Sequence, residues 1–216
     1  MYRKNRPAEF PIMTDGLIMS LIPLAAGGVI SIWSWKAALI MLIPTVFILF
    51  FFRNPERTTN ADSGDILSPA DGKVLSVSGE DNEFTGPGSI NISIFLSIFN
   101  VHINRSPVEG RVFYHNYKEG AMIPAFKSHA SELNERNTIG IETNDGTRFI
   151  VRQITGFIAR RIVWWVDIGS VLNKGEKFGF IKFGSCTQII LPAGSNITVS
   201  PGQKVKAGKT VIGVIK

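Results

Sequence analysis

Near its C-terminal end the chain reads Lys182-Phe183-Gly184-Ser185-Cys186-Thr187. Gly184 offers an unhindered carbonyl and tolerates backbone angles that other residues avoid. The hydroxyl of Ser185 is within reach of that carbonyl. Where the backbone is strained, such a hydroxyl can attack the preceding peptide bond. An apolar run over residues 178–183 leads in, and residues 188–191 lead out to Pro192. The same Gly-Ser pair also suits a plain turn or bulge between two strands, with no chemistry attached.

Other polar residues stand in positions where they could assist. Asp71 lies in Ser68-Pro69-Ala70-Asp71-Gly72, where it either shapes a turn or acts on a neighbour. His102 follows a long alternating stretch. A histidine there can be uncharged near neutral pH and exchange protons, or it can simply be satisfied by a backbone carbonyl. His115 and His129 are alternatives to it. Arg105, Arg136, Arg160 and Arg161 each carry a guanidinium that matches phosphate or carboxylate in bidentate fashion. Glu109, Glu135 and Asp167 are their competing partners, as ordinary ion pairs.

Composition narrows the classes. The formal charge of +6 and the isoelectric point near 9.6 suit an anionic partner. No dense Lys/Arg block or zinc-finger spacing is present, so a membrane surface is expected rather than nucleic acid. No Cys/His cluster has metal-site spacing, and no Walker or Rossmann glycine pattern occurs, so neither a metal nor a nucleotide is expected. The single cysteine, Cys186, forbids an intramolecular disulfide and fits a reducing compartment.

The elements that must position these residues are mostly strands. Residues 90–99 alternate apolar and polar for three cycles. Residues 74–78, 111–117, 138–142, 148–154 and 162–166 read as further strands. Asp145-Gly146 is a hairpin turn able to take positive φ. One helix is expected over residues 125–134. Strands this short and frequent predict a mainly β fold, a barrel or sandwich, over residues 58–216. Ser68-Pro69-Ala70-Asp71-Gly72-Lys73-Val74 and Ser200-Pro201-Gly202-Gln203-Lys204-Val205 look alike. The tail over 205–213 resembles the closing hairpin of lipoyl or biotinyl carrier domains. It lacks the modifiable lysine in a Met-Lys-Met-like setting, so the likeness is one of architecture.

The first 57 residues differ in kind. Between Gly16 and Phe52 the only charged side chain is Lys36. That stretch is too long for one span, so a helical hairpin is expected, with spans over 17–33 and 37–52 and a turn at Ser34, Trp35 and Lys36. Arg3, Lys4, Arg6, Arg53 and Arg57 then share one side, which the positive-inside rule makes cytoplasmic. Pro23, Pro44 and Gly27-Gly28 interrupt the spans and leave an interfacial pair of helices as the alternative.

Six motifs recur together: Phe51-Phe52-Arg53-Asn54-Pro55, Ser68-Pro69-Ala70-Asp71-Gly72, Asn100-Val101-His102-Ile103-Asn104-Arg105-Ser106-Pro107, Asn134-Glu135-Arg136-Asn137, Ile158-Ala159-Arg160-Arg161-Ile162 and Phe183-Gly184-Ser185. In order and spacing they closely resemble the short, archaeal-type form of phosphatidylserine decarboxylase, a pyruvoyl-dependent enzyme made as a self-cleaving proenzyme. The resemblance runs from about Phe51 to Leu191. It implies cleavage of the Gly184–Ser185 bond into a large chain, 1–184, and a small chain, 185–216, which stay together as a heterodimer. It implies a covalent pyruvoyl cofactor made from Ser185, which forms a Schiff base with the amine of phosphatidylserine. It assigns catalytic assistance to Asp71 and His102, and makes the four arginines candidates for substrate binding. The expected site of action is the cytoplasmic face of the cell membrane, where phosphatidylserine is held by its acyl chains. Two departures stand out. Longer relatives carry a second histidine where this chain has Arg105, and an arginine usually stands where this chain has Cys186. A decarboxylase of an archaeal serine ether lipid fits the same motifs. A non-catalytic, membrane-anchored barrel with an intact Gly184-Ser185 bond is the alternative of another class.

Overall fold

The computed structural model describes residues 10–120, 133–156, 161–182 and 185–215. The chain divides into two compact units, one running through Arg6–Glu56 and the other through Arg57–Lys216.

Among its described residues the first unit holds three helices, α1 (Thr14–Ile30), α2 (Trp35–Ile40) and α3 (Leu42–Phe51). α1 packs against both α2 and α3. Close approach depends on small residues: a Cβ on Gly16 would stand 2.3 Å from the Cβ of Phe52. Hydrogen bonds from Met13 N–H to the Phe52 carbonyl (2.9 Å) and from Asn54 N–H to the Pro11 carbonyl (2.6 Å) close the base. Ser34 caps α2 by accepting from Ala37 N–H. The sequence predicts one helix over 37–52, but the chain breaks at Met41. Pro44 has no N–H to give to the Ile40 carbonyl, which weakens the ladder there. Among the described residues no helix is long and apolar enough to cross a membrane. The apolar side chains are nonetheless turned outward: Ile22 is 72% exposed, Ile43 70% and Trp33 78%.

The second unit is mainly β among the described residues. Its early strands are β1 (Asp65–Leu67), β2 (Gly72–Gly79), β3 (Ile90–Leu96), β4 (Ile103–Arg105) and β5 (Gly110–Lys118). β6 (Arg136–Glu142), β7 (Arg148–Thr155), β8 (Arg161–Trp164), β9 (Val171–Leu172) and β10 (Lys177–Lys182) follow. The last are β11 (Ser185–Leu191), β12 (Asn196–Ile197), β13 (Lys204–Val205) and β14 (Val211–Val214). Eight of them form one curled sheet in the order β13-β2-β3-β11-β7-β6-β5-β9. Two smaller sheets, β4-β10-β8 and β1-β14-β12, complete the unit. All pairings are antiparallel.

The mainly β architecture follows from the alternation of short strands. Ile92, Ile94 and Leu96 on β3 point into the core with Val74, Ile139, Ile141, Val151 and Ile189 from neighbouring strands. β3 stops at Leu96 rather than residue 99. The Asn100 carboxamide accepts from both the N–H and the hydroxyl of Ser97, folding the chain into a turn. Between β6 and β7, Gly146 takes φ +83°, as the Asp-Gly turn requires. The look-alike segments interlock: Val74 N–H donates to the Gln203 carbonyl, and Gly202 N–H to the Val74 carbonyl. Most of the expected helix over 125–134 lies outside the described residues.

Candidate active site

Three rows of residues run across the core face of the large sheet, and their chemistry changes toward one rim. The first row, Ile92, Ile189, Val151 and Ile139, is apolar and fully buried. The next, Ile94, Thr187, Gln153 and Asn137, turns polar over three strands, and all of it is buried. The third stands at the rim, where the backbone of Ser185 is paired with Leu96 on one side and Thr155 on the other. Buried polar groups are stable only when hydrogen-bonded, and the middle row is. Asn137 Nδ2 donates to Gln153 Oε1 (2.8 Å) and Gln153 Nε2 donates to Asn104 Oδ1 (2.8 Å). Asn104 Nδ2 donates to Thr187 Oγ1 at 2.9 Å. At the far end His115 Nε2 donates to Asn137 Oδ1, also 2.8 Å. β10 lies over this row, and Gly179 makes that possible. A Cβ there would come within 2.7 Å of Gln153 Nε2.

Asn104 also carries the row to the Asp71 turn. Its Nδ2 donates to the Pro69 carbonyl (3.2 Å), which accepts Arg105 N–H as well (2.9 Å). Asp71 itself is buried in a bidentate pair with Arg57, at 2.5 and 2.8 Å, and accepts Ala207 N–H at 2.8 Å. Arg57 in turn donates to the Ala207 carbonyl. Arg57 therefore belongs to the β unit, whereas the sequence groups it with the cations flanking the helices. Its buried pairing with a carboxylate decides the matter.

His102 is fully buried just before β4. Its carbonyl accepts Ile181 N–H (3.2 Å) on β10, the strand that runs toward residues 183–184. Its Nδ1 lies 3.0 Å from the Asn100 carbonyl. A carbonyl oxygen can only accept, so Nδ1 holds a proton, and in the uncharged ring Nε2 holds the lone pair. Phe180 packs against the ring edge to face, with centroids 6.4 Å apart. The histidine thus sits on the loop joining β3 to β4, tied to the strand that enters the Gly-Ser pair. Gly184 and the side chain of Ser185 lie outside the described residues. The flanking backbones define the junction: β10 is paired in one sheet and β11 in another, and residues 183–184 join them.

The remaining candidates are spread out. Arg105 is buried, donates to the Gly175 carbonyl (2.9 Å) and packs its Cδ over Gly208. Arg136 opens β6 opposite Lys118 and Ile154. Arg161 is exposed, opposite Lys182 on β10. Arg160 and His129 lie outside the described residues. Glu135 accepts from Tyr117 Oη (3.0 Å) and Ile162 N–H (3.1 Å). Burial, then that bond and the charge of Glu135, push the Tyr117 hydroxyl up to about 12. The backbone carbonyl of Glu135 accepts Thr155 N–H, opposite Ser185. Cys186 is buried, and burial pushes its thiol up to about 12, so beside Ser185 it remains a protonated, weakly nucleophilic group.

Sequence reasoning misses the polar row, although a signal for it exists. In Asn137-Ile139-Ile141, Phe149-Val151-Gln153 and Thr187-Ile189-Leu191, each core-facing series carries one polar residue, always at the end nearest the rim. Any one of them reads as noise; register is needed to align them. Arg57 is missed because its partner lies fourteen residues away, across a polar linker.

The chain matches the phosphatidylserine decarboxylase family over residues 45–213. It is 54% identical, over 88% of both chains, to a phosphatidylserine decarboxylase proenzyme of Carboxydothermus hydrogenoformans. It is 45% identical to a proenzyme of the same name from Symbiobacterium thermophilum, over 90% of each chain. A third, from Geotalea uraniireducens, is 39% identical over 97% of this chain and 99% of its own. The chain belongs to the phosphatidylserine decarboxylase family.

Proposed function

We propose that the protein cuts itself between Gly184 and Ser185 and then decarboxylates phosphatidylserine to phosphatidylethanolamine. One observation carries the reading: the bond joins two strands that are each held by other parts of the chain. β10 is fixed by β4 and β8, and β11 by β3 and β7. Cutting between them frees neither end, so a new terminus at Ser185 stays in register between Leu96 and Thr155. The small chain, 185–216, also keeps β13 on β2 and β14 on β1. A stable heterodimer with residues 1–184 follows.

Serine needs a base to become a nucleophile, and His102 Nε2 carries the lone pair for that task. As Ser185 Oγ bonds to the Gly184 carbonyl carbon, its proton leaves to the base. The C–N bond breaks, the nitrogen takes the proton back, and an ester remains. Loss of the Ser185 Cα proton then expels the Gly184 carboxylate and leaves dehydroalanine. Water adds, ammonia departs, and the small chain ends in a pyruvoyl group. That group, once formed, supplies a ketone for the substrate amine and an electron sink for the departing carbon dioxide. The residues present fit it: Ser185 opens β11 at the rim, the carbonyl of buried His102 is hydrogen-bonded to Ile181 on β10, and the Asp71 carboxylate is held by Arg57. His102 and Asp71 handle the proton transfers, with Arg57 and Ala207 N–H fixing the Asp71 carboxylate. The outward-facing apolar helices suit residence at a membrane, where the substrate is anchored.

The test is direct. Purified protein mixed with phosphatidylserine vesicles yields carbon dioxide and phosphatidylethanolamine in equal amounts, and prior borohydride treatment abolishes both. Processed protein that makes no ethanolamine lipid contradicts the reading. The same assay on an ether-linked serine lipid decides between the two substrate classes.

A further inference from the structure

A second feature of the β unit lies beside the candidate site. A cavity of about 600 Å3 opens between β2, the end of β3 and the loop around β13. Lys73, Lys204 and Lys206 line it together with Phe95, Phe99 and Asp71. All three lysines are exposed, and among the described residues none of them enters an ion pair. Asp71 is the carboxylate of the lining, and Arg57 already neutralises it. The cavity therefore carries an excess of three positive charges. Its geometry is built rather than incidental. β13 pairs Lys204 with Lys73 across the sheet. Lys206 is fixed by its N–H, which donates to Thr210 Oγ1 (2.9 Å). A Cβ at Gly72 would clash with the Phe95 carbonyl at 2.1 Å, so the wall needs that glycine.

The wall is also apolar. Phe99 is 65% exposed at the lip, and Phe95 lies deeper and half-buried. Like-charged strand neighbours such as Lys73 and Lys204 repel one another unless an anion joins them. Ammonium groups on flexible stems are point-charge binders of phosphate. A ligand with one anionic phosphate flanked by carbon chains meets both demands; free phosphate meets only the first, and nucleic acid needs a longer basic track.

We propose that this cavity takes the phosphodiester of the glycerophospholipid substrate. The three lysines surround the phosphate, and Phe99 lies against the glycerol and the first carbons of the acyl chains. The serine headgroup then extends toward Asp71 and Asn100, whose carbonyl holds His102. This rests on the decarboxylase reading above, and it moves phosphate recognition from the four arginines to three lysines.

The experiment uses the full chain and a short-chain phosphatidylserine kept monomeric, so that attraction to a charged bilayer plays no part. Lys73→Gln, Lys204→Gln and Lys206→Gln are combined. Self-cleavage, read by denaturing electrophoresis, stays complete and reports folding. KM rises about fivefold per lysine removed, roughly a hundredfold for all three, while kcat changes little. The corresponding Lys→Arg triple variant restores most of the loss. Short-chain phosphatidylglycerol competes with substrate in the wild type and much less in the Gln variant. If the triple variant does not cleave itself, Lys204→Gln and Lys206→Gln singly carry the same test. An unchanged KM in a fully cleaved variant overturns the lysine cavity and leaves the decarboxylase reading intact. Competition by inorganic phosphate but not by phosphatidylglycerol also overturns it, reassigning the cavity to free phosphate. A wild-type chain that neither cleaves itself nor releases carbon dioxide overturns the decarboxylase reading instead.

Discussion

Asp71 and Arg57 form a buried pair whose value lies in being complete. Removing one partner strands the other charge in a place water cannot reach. In an uncleaved Ser185→Ala background, Arg57→Met is expected to lower stability by about 3 kcal/mol in urea unfolding. Replacing both residues by apolar ones recovers most of that loss, since no charge is left alone. His102→Ala slows self-cleavage by about a hundredfold or more in a time course of chain separation, the usual worth of a positioned base. Cys186 gives a pH prediction whose sign can be worked out. Its thiol ionises at about 12 in the folded chain, against an ordinary value of 9.0. Above pH 9 the unfolded chain binds fewer protons than the folded one, so stability falls as pH rises toward 12. Cys186→Ala should flatten that alkaline slope in thermal melts taken at successive pH values. At this scale the sequence made Ser185, Asp71 and His102 legible as candidates, because each has a chemistry of its own. Arg57 and Asn104 were not legible, because their meaning comes from partners distant in sequence.

At the scale of elements, the alternating stretches over residues 72–79 and 90–96 can be read directly, since each shows period two, whereas 148–155 reads as a strand only from its apolar run. β4, β9, β12 and β13 have three residues or fewer, too few to show a period. Their identity comes from their partners. The polar row across β11, β7 and β6 likewise exists only once the strands are aligned. Asn104 is its keystone, joining Thr187, Gln153 and the Pro69 carbonyl. Asn104→Ala leaves three buried groups without this partner, and a loss of about 3 kcal/mol is expected in urea unfolding. Because β11 begins at the bond proposed to be cut, the same change is expected to slow self-cleavage more than tenfold, read as the fraction of two chains against time. Full-speed cleavage in this variant would separate the polar row from the chemistry.

For the whole molecule, composition sets apart the apolar first quarter, and the β character of the rest is read from strand alternation. The break between α2 and α3 follows from Pro44, although the position of the break needed the structure. The exposed faces of Ile22 and Ile43 give the helical unit its expected membrane affinity. Ile22→Glu with Ile43→Glu should weaken vesicle co-flotation by about a hundredfold or more, at 1.5–3 kcal/mol per isoleucine no longer buried. Self-cleavage should be untouched, since it needs only the β unit. The proposed activity depends on one bond, Gly184–Ser185. The measurement that tests it most directly is the intact mass of the purified protein under denaturing conditions. The account predicts two chains divided between Gly184 and Ser185, the smaller beginning with a ketone that borohydride reduces. A single chain of full mass, persisting after long incubation, would contradict it and leave a membrane-anchored barrel without catalytic activity.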